Sequence, residues 1–261
     1  MSDERAHISW LETMKLAGQS VVLDATGAMF VPAHDLLVVS DLHFEKGSSF
    51  ARRGQFLPPY DTRETLRRLE HVVRLYRPKT VLSLGDAFHD RGSEARMDEA
   101  DAARLAALCG ATDWIWILGN HDPEPPKRFR GAVHETAEVA GLLFTHEPGE
   151  AEGWQVAGHL HPCARVQKGG RGARRPCFLS DGTRMIMPAF GAYTGGLNVL
   201  DPAFDGLVTG PISLFLCGER RVYRMPLGAL EPDRGRGPIY KMRITPAAGR
   251  ETNRQGKEFG R

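Results

Sequence analysis

Three apolar runs in the first half of the chain each lead into a polar residue that is able to bind a metal ion. The runs cover residues 36–40, 81–84 and 114–118, and the polar residues are Asp41, Asp86 and Asn120. Continuous apolar runs of this length are typical of strands buried on both faces of a parallel sheet. In open α/β sheets, ligands bind beyond the carboxyl ends of the strands. We therefore expect a sheet that gathers these three side chains at one edge.

The segments around these runs predict the rest of the architecture. Apolar residues recur at helical spacing over 61–76 and 97–108, so a helix is expected between successive strands. Residues 21–24 and 28–31 flank a Thr-Gly turn and predict a hairpin. From residue 133 the pattern changes to short strands with glycine turns, predicted over 133–139, 142–145, 154–157, 177–179, 185–187, 212–216 and 221–225. This second half favours a mostly antiparallel sheet.

Composition fits an ordinary globular protein. The chain has 261 residues, of which 41% are apolar and 25% are charged, and its net charge is +2. A charge this small does not by itself predict nucleic-acid binding. We predict a single domain over residues 1–230. Glycine, proline and arginine are frequent over residues 231–261 and apolar residues are few, so a disordered basic tail is expected there.

The apolar segments and the cysteines predict the cellular setting. No apolar stretch is long enough for a membrane span or a signal peptide, so we expect a cytoplasmic protein with no membrane contact. The four cysteines lack the CxxC spacing and are expected to be reduced core thiols. A disulfide between Cys163 and Cys177 is the alternative, because these two residues flank a basic segment.

Five short motifs together contain the ligands for a pair of divalent metal ions. The seven residues are Asp41, His43, Asp86, Asn120, His146, His159 and His161. Asp41 and His43 are two positions apart, which places both on the same side of an extended chain, and the last two histidines repeat this spacing. Carboxylates with imidazoles suit Mn²⁺, Fe and Zn²⁺, whereas Mg²⁺ and Ca²⁺ prefer more oxygen ligands. Each motif is weak alone, but five in order after predicted strands indicate one site.

This ordered set resembles the calcineurin-like metallophosphoesterases over residues 36–162. The family pattern is Asp-x-His, Gly-Asp, Gly-Asn-His-Asp/Glu, His and Gly-His-x-His, and the chain departs from it at Thr145, where the family usually has glycine. The resemblance implies an α/β (α+β) fold, a four-layer αββα sandwich of two mixed β-sheets flanked by helices. It also implies two metal sites that share Asp86. The first site is Asp41, His43, Asp86 and His161, and the second is Asp86, Asn120, His146 and His159.

The resemblance also implies roles for the remaining residues of the third motif. A hydroxide bridging the two metals attacks phosphorus, His121 protonates the leaving oxygen, and Asp122 orients the imidazole of His121. Phosphoester hydrolysis needs an activated water, neutralisation of phosphoryl charge and an acid for the leaving oxygen, which agrees with these roles. The alternative for His121 is a purely structural histidine in an Asn-His-Asp turn.

Three local segments resemble one bacterial branch of the family, the ligase-associated DNA damage response endonucleases. The segments are residues 41–47, 85–90 and 189–198, and the resemblance extends over about residues 10–226. It implies a manganese-dependent phosphodiesterase that cuts DNA, preferably single-stranded, in DNA repair. It further implies a functional association with an ATP-dependent DNA ligase, a helicase and an exonuclease.

Seven further residues are candidates for contacting the substrate: Arg52, Arg53, His89, Arg171, Arg174, Arg175 and Tyr193. Residues 165–175 contain five basic residues and no acid, so they predict either a flexible loop that follows a nucleic-acid backbone or a solvated hairpin tip. The glycine-rich residues 191–196 predict either backbone N–H groups facing a phosphate or a turn between strands. Tyr193 is a candidate for stacking on a base, and His89 is either a substrate-side or a structural residue.

Two other functions stay open. A small-molecule phosphoesterase acting on nucleotides or phosphorylated metabolites would have a closed, narrow pocket in place of an open basic groove. A non-catalytic scaffold on the same fold would typically have lost ligands or the acid histidine, and this chain retains all of them. The sequence leaves the oligomeric state open.

Overall fold

Two mixed β-sheets pack face to face in the computed structural model, which describes residues 12–55, 60–149, 153–168 and 171–233. Within these residues the first sheet contains seven strands in sequential order. They are β1 (Glu12–Leu16), β2 (Gln19–Leu23), β3 (Met29–Val31), β4 (Leu36–Ser40), β5 (Thr80–Leu84), β6 (Asp113–Ile117) and β7 (Ala132–His134). Strands β1 to β4 run antiparallel, and β4 to β7 run parallel.

The three apolar runs form the adjacent parallel strands β4, β5 and β6, as predicted. Ser40 pairs with Leu84, and Leu84 pairs with Ile117, so the carboxyl ends of all three strands are level. All five residues of β4 are buried, which is the physical reason for its continuous apolar sequence. This register therefore places the three motifs at one edge of the sheet.

Four α-helices occur in the described residues: α1 (Lys46–Arg52), α2 (Asp61–Tyr76), α3 (Ser93–Arg96) and α4 (Glu99–Ala111). The apolar stripes of α2 and α4 pack on the outer face of the first sheet, where Leu69 and Leu105 share one cluster with Val81 and Trp116. Helix α4 begins where the side chain of Asp98 accepts a hydrogen bond of 3.0 Å from the backbone N–H of Ala100. Both predicted helices are confirmed.

The second sheet contains nine strands in the described residues. They are β8 (Thr136–Val139), β9 (Leu142–Thr145), β10 (Gln155–Ala157), β11 (Cys163–Lys168), β12 (Arg171–Ser180), β13 (Arg184–Ile186), β14 (Ser213–Cys217), β15 (Val222–Met225) and β16 (Leu230–Glu231). Strand β10 lies parallel to both β9 and β13, and the other pairs are antiparallel. The sheet is therefore mixed, with mostly antiparallel pairs.

One expectation for the second half is wrong. A single strand over 133–139 does not form, because β7 pairs in the first sheet and β8 in the second, so the chain crosses between the sheets at Glu135. Of the two alternatives for residues 165–175, the structure favours the hairpin, because β11 and β12 pair antiparallel with Arg165 opposite Arg174. The sequence leaves this choice open because the two strands are rich in arginine and glycine and lack the apolar alternation of a typical strand.

Three apolar layers hold the elements together and confirm the predicted sandwich of two mixed β-sheets. The central layer lies between the sheets and joins Val38 and Leu82 of the first to Phe144 and Phe178 of the second. The second layer is the cluster under α2 and α4. The third layer covers the outer face of the second sheet, where a segment containing the 3₁₀ turn Pro202–Phe204 replaces a long helix.

The end of the described chain continues into the second sheet. Leu230 and Glu231 pair with β11, and the carboxylate of Asp233 accepts a hydrogen bond of 3.0 Å from Arg174. The remaining residues of the expected tail, 234–261, lie outside the described residues, so its disorder and the single domain over 1–230 stay predictions. No helix among the described residues is long and apolar enough to cross a membrane. All four cysteines are buried and free.

Candidate metal centre

The seven candidate ligands come together where the carboxyl ends of β4, β5 and β6 meet those of β9 and β10. Asp41, Asp86 and Asn120 follow β4, β5 and β6 of the first sheet. His43 also follows β4, whereas the other three histidines come from the second sheet, with His146 directly after β9 and the Gly-His-x-His motif directly after β10. The backbone N–H of His159 donates to the carboxylate of Asp41 at 3.1 Å, which ties the two sheets together at the site.

The first group of candidate ligands is Asp41, His43 and His161, whose donor atoms lie within 4.8 Å of one another. Nε2 of His161 lies 3.1 Å from Oδ1 of Asp41 and 3.3 Å from Nε2 of His43. Oδ2 of Asp86 lies 3.9 Å from Nε2 of His43 and so borders this group. The carboxylate of Asp41 is fully buried and also accepts a hydrogen bond from the hydroxyl of Ser40.

The second group is Asp86, His146 and His159, again with donor atoms within 4.8 Å of one another. Nε2 of His146 lies 3.4 Å from Oδ2 of Asp86 and 3.2 Å from Nδ1 of His159. The amide oxygen of Asn120 lies 2.9 Å from the first of these nitrogens and 3.0 Å from the second. Asp86 thus faces both groups, which is the position required of a bridging carboxylate.

The chemistry of both groups fits a divalent metal ion. Carboxylate and amide oxygens and imidazole nitrogens converge at 2.9–3.4 Å within the second group, and one cation would satisfy all of their lone pairs. Burial lowers the pKa of His43 to about 3, so its ring is neutral and able to bind a metal at neutral pH. Burial opposes ionisation of Asp86, but the hydrogen bond to His146 and nearby charges lower its pKa to about 2.

Left-handed backbone turns aim five of the seven side chains. The φ angles are +53° at Asp41, +46° at His43, +44° at Asp86, +68° at His159 and +47° at His161. This region is uncommon for residues other than glycine, and aspartate and histidine are among those that enter it most readily. A cluster of such residues stores backbone strain, as occurs at functional sites. The turns let consecutive loop residues face the same centre.

Three glycines of the motifs leave room for side chains of neighbouring strands. A Cβ atom at Gly85 would lie 2.0 Å from Nδ1 of His146, and one at Gly158 would lie 2.1 Å from the hydroxyl oxygen of Ser40. At Gly119 it would lie 2.2 Å from the backbone nitrogen of Asp86. Real Cβ contacts are never this short, so any side chain at these positions would displace a candidate ligand or its support.

The glycine-rich segment 191–196 supports the site through its backbone. The carbonyl of Gly195 lies 3.1 Å from Nδ1 of His161 and accepts its hydrogen, so Nε2 is the nitrogen that faces the first group. The N–H groups of Gly191 and Ala192 donate to the carbonyl of Asp41 at 3.1 Å and to the hydroxyl of Thr65 at 2.9 Å. Because these N–H groups have protein partners, the structure favours the turn over the phosphate cradle.

His121 lies beside the two groups and remains accessible. Its side chain is 42% exposed, and its Nε2 lies 4.0 Å from Oδ2 of Asp86. Its Nδ1 lies 2.9 Å from the carbonyl oxygen of His89, and the two rings stack with centroids 5.3 Å apart. The imidazole is therefore oriented with one nitrogen on a protein carbonyl and the other toward the candidate metal centre.

The structure corrects the role expected for Asp122. Its two carboxylate oxygens accept hydrogen bonds from the backbone N–H groups of Phe88 at 3.0 Å and Gly119 at 3.2 Å. Burial raises the pKa of Asp122 to about 7. Asp122 therefore fixes the Asn-His-Asp turn against the preceding motif, and the carbonyl of His89 orients His121 in its place.

The basic residues of α1 form one side of the site. Arg52 and Arg53 are exposed at its carboxyl end, and Lys46 is half-buried at its start with its ammonium 5.9 Å from the ring centroid of Phe50. Burial, then the charges of His121 and Lys46, lower the pKa of His89 to about 4. Lys46 is not among the residues predicted for the site; its place three residues after His43 is the signal that could have identified it.

Two arginines of the β11–β12 hairpin, Arg174 and Arg175, have protein partners. Arg174 donates to Asp233 at 3.0 Å and to the carbonyl of Gly196 at 2.6 Å, and so supports the glycine-rich segment. Arg175 donates to Glu219 at 3.2 Å. The side chain of Arg171 lies outside the described part of the structure. Tyr193 is 53% exposed, and its stacking on a base stays a prediction.

The opposite side of the site is acidic. A groove of about 460 Å³ runs along the second group and is lined by Asn120, His146, Glu135, Glu147 and Gln155 among others. Glu135 and Glu147 are exposed, so they place negative charge beside this group. A polyanionic substrate would therefore approach the centre from the side of α1.

The chain is similar to one known family and to several solved structures. A family model described as calcineurin-like phosphoesterase matches residues 34–170. The crystal structure of nuclease MPE from Pseudomonas putida is 26% identical, covers 82% of this chain and 100% of its own, and has a TM-score of 0.65. Yfce, a phosphoesterase from E. coli, is 15% identical over 70% of this chain and 88% of its own, with a TM-score of 0.37. No curated protein matches significantly.

Proposed function

Because the chain belongs to the calcineurin-like phosphoesterase family of metal-dependent phosphoester hydrolases, we propose that it is a phosphodiesterase that cuts DNA. The observation that carries the proposal is the pair of ligand groups that share Asp86, with the accessible imidazole of His121 at 4.0 Å. The likeness to a Pseudomonas putida nuclease over 82% of the chain supports DNA as the substrate.

We assign the two metals to the two groups described above. Asp41, His43, Asp86 and His161 would hold the first ion, and Asp86, Asn120, His146 and His159 would hold the second. When bound, a pair of divalent ions activates water and neutralises charge on the phosphoryl group. Manganese is the ion proposed, from the branch resemblance and from a donor set that mixes oxygen with imidazole nitrogen.

His121 is the proposed general acid. Its Nε2 faces the site, and it would protonate the oxygen that leaves phosphorus. The carbonyl of His89 accepts the Nδ1 hydrogen and so fixes the orientation of the ring. Asp122 holds the backbone of this motif in place through Phe88 and Gly119.

Single-stranded DNA is the proposed substrate, because the basic residues Lys46, Arg52 and Arg53 of the α1 side are available to face the phosphates of a strand that approaches the candidate centre. A role in DNA repair, beside an ATP-dependent ligase, a helicase and an exonuclease, follows from the branch resemblance alone. A cytoplasmic location likewise rests on the sequence. The acidic groove along the second group favours a second candidate function, hydrolysis of small phosphodiesters, because Glu135 and Glu147 would repel a long polyanion there.

A comparison of substrates tests the proposal. The purified full-length chain, loaded in turn with Mn²⁺, Zn²⁺ or Mg²⁺, is given single-stranded DNA, duplex DNA, mononucleotides and bis-p-nitrophenyl phosphate. We expect cleavage of single-stranded DNA and of the synthetic diester, fastest with Mn²⁺. Hydrolysis of mononucleotides or the synthetic diester without any cleavage of DNA would establish the small-molecule alternative.

The variant His121→Ala tests the assignment of the acid. We expect DNA cleavage to fall about 100-fold or more, since general acid catalysis contributes that much. The activity of the variant on bis-p-nitrophenyl phosphate should fall less, because p-nitrophenolate leaves without a proton. Metal content, measured by mass spectrometry, should stay unchanged. Equal losses on both substrates with intact metal content would exclude His121 as the acid.

A further inference from the structure

A second cavity, of about 260 Å³, lies next to the candidate metal centre, between residues 88–95 and residues 122–128. We propose that this cavity, the base slot, binds the nucleobase of the nucleotide on the leaving side of the cleaved phosphodiester. The inference rests on the proposed function and specifies how that site recognises DNA. This volume is slightly below the usual range of ligand pockets, which suits one base and excludes a larger molecule.

Hydrogen bonds close the base slot at both ends. At the inner end, Asp122 accepts from the backbone N–H of Phe88 at 3.0 Å. At the outer end, the carboxylate of Glu94 accepts from the backbone N–H groups of Lys127, at 3.0 Å, and Arg128. Arg128 also pairs with Glu99 at 2.8 Å. These bonds fix the spacing between the two walls, so the slot is preformed.

The two walls of the slot carry the two histidines of the site. His89 lies between Phe88 and Asp90 of one wall, and His121 directly precedes Asp122 of the other. Nδ1 of His121 lies 2.9 Å from the carbonyl of His89, so the two walls meet at His121, the proposed general acid. Because His121 protonates the leaving oxygen, the nucleotide nearest the slot is the one that leaves.

The lining selects a base rather than a phosphate. Pro125, Pro126 and Ala95 provide apolar surface against which a flat ring can pack. Four acidic and three basic residues line the slot, so its charge does not attract a phosphate. Carboxylates accept hydrogen bonds from exocyclic amino groups, as they do from cytosine. Glu124 is 57% exposed, with its nearest cations 3.9–4.0 Å away, so it has room to accept one.

The slot therefore favours bases that carry an exocyclic amino group, which are cytosine, adenine and guanine, over thymine. Glu124 is the specificity-determining residue of this proposal. Among the lining residues, Ala95 is the most suitable for blocking the slot, because it is exposed and a larger side chain there would enter the slot without entering the core.

The test compares Ala95→Phe with Ala106→Phe, the same substitution at an exposed position of α4 outside the slot. Substrates are oligodeoxycytidylate, oligothymidylate, an abasic oligomer of equal length and bis-p-nitrophenyl phosphate, all with the Mn²⁺-loaded full chain. We expect Ala95→Phe to raise the KM for oligodeoxycytidylate about tenfold, the effect of preventing one base from packing on the protein. Activity on bis-p-nitrophenyl phosphate should be unchanged in both variants. Glu124→Ala, which removes the acceptor oxygens, should remove the preference of the wild-type protein for cytosine over thymine.

Each result separates the slot from the proposed function. Suppose that the wild-type protein cuts all three oligomers with the same KM and that Ala95→Phe leaves each KM unchanged. The proposal that the slot binds a base is then refuted, while the proposed cleavage of DNA is not. If the wild-type protein hydrolyses bis-p-nitrophenyl phosphate and no oligomer, the proposed function fails and the slot fails with it. A loss on every substrate in Ala95→Phe, but not in Ala106→Phe, would mean that residue 95 supports the centre itself, and would also overturn the slot.

Discussion

Asp86 is the residue on which both candidate metal groups depend, because its Oδ2 faces His43 at 3.9 Å and His146 at 3.4 Å. We expect Asp86→Asn to lower metal content from about two ions per chain to fewer than one, since removing a shared charged ligand weakens both groups. Asparagine is chosen because the φ of +44° at this position would strain most other side chains, whereas asparagine tolerates it. Metal content is measured by mass spectrometry after dialysis.

A matched control exists in the chain. Asp35 is exposed and has a φ of +46°, so Asp35→Asn removes the same charge from a similar backbone conformation away from the ligands. We expect that variant to keep both metals and full activity. Two ions per chain in Asp86→Asn would refute the bridging role.

Residue types and spacing are enough to predict which side chains meet, but not what holds them. The seven candidate ligands lie together because each follows a strand, which a periodicity argument detects. The partners of the imidazoles are different, since the carbonyls of His89 and Gly195 orient His121 and His161. Every residue has a backbone carbonyl, so no motif can indicate which one will accept a hydrogen bond. The same limit explains why the role expected for Asp122 is wrong.

At the scale of elements, the strands that the sequence predicts correctly are those with a clear burial pattern. Strands β4, β5 and β6 are largely buried and mostly apolar, whereas β11 and β12 contain charged residues and glycine. The crossing at Glu135 is also invisible in the sequence, because a strand that changes sheets keeps its local pattern while its partners change. Pairing depends on long-range contacts that one segment does not encode.

Helix α1 is the element that we expect to contact the DNA backbone, in preference to the β11–β12 hairpin. Arg52 and Arg53 are exposed at its carboxyl end, whereas Arg174 and Arg175 already bind Asp233 and Glu219. Replacing both Arg52 and Arg53 with glutamine should weaken binding of single-stranded DNA and flatten the slope of log Kd against log salt by roughly 1.4, about 0.7 for each phosphate that is no longer neutralised. Fluorescence anisotropy at several salt concentrations measures this slope.

Arg220 and Arg221 provide the control for this element, because they are a second adjacent pair of exposed arginines, in the turn before β15. Their replacement with glutamine removes the same charge from the whole protein, and the slope should change little. An equal change in both double variants would show that net charge, not α1, determines the salt dependence. If replacing Arg174 and Arg175 changes the slope more than replacing Arg52 and Arg53 does, the hairpin, and not α1, contacts the DNA backbone.

At the scale of the whole molecule, the candidate centre joins the two sheets. The first sheet supplies Asp41, Asp86 and Asn120, and the second supplies the histidines that follow β9 and β10. Because buried ligands of both sheets would share the same ions, metal binding should stabilise the packing between the sheets, and the described part of the chain should unfold in one transition.

Removal of the metal is therefore expected to destabilise the entire fold rather than one loop. A ligand present at about 100 times its Kd stabilises the folded state by roughly 2.7 kcal/mol. For a protein of this size, chelation with EDTA should then lower the Tm by roughly 5–10 °C. Differential scanning calorimetry with Mn²⁺, with EDTA, and with Mn²⁺ restored measures the shift. Asp86→Asn should show almost no response to either addition, which separates specific binding from a general effect of the ion on the surface. If the wild-type protein has the same Tm with EDTA and with saturating Mn²⁺, the metals do not bridge the sheets, and two separate transitions would contradict a single domain.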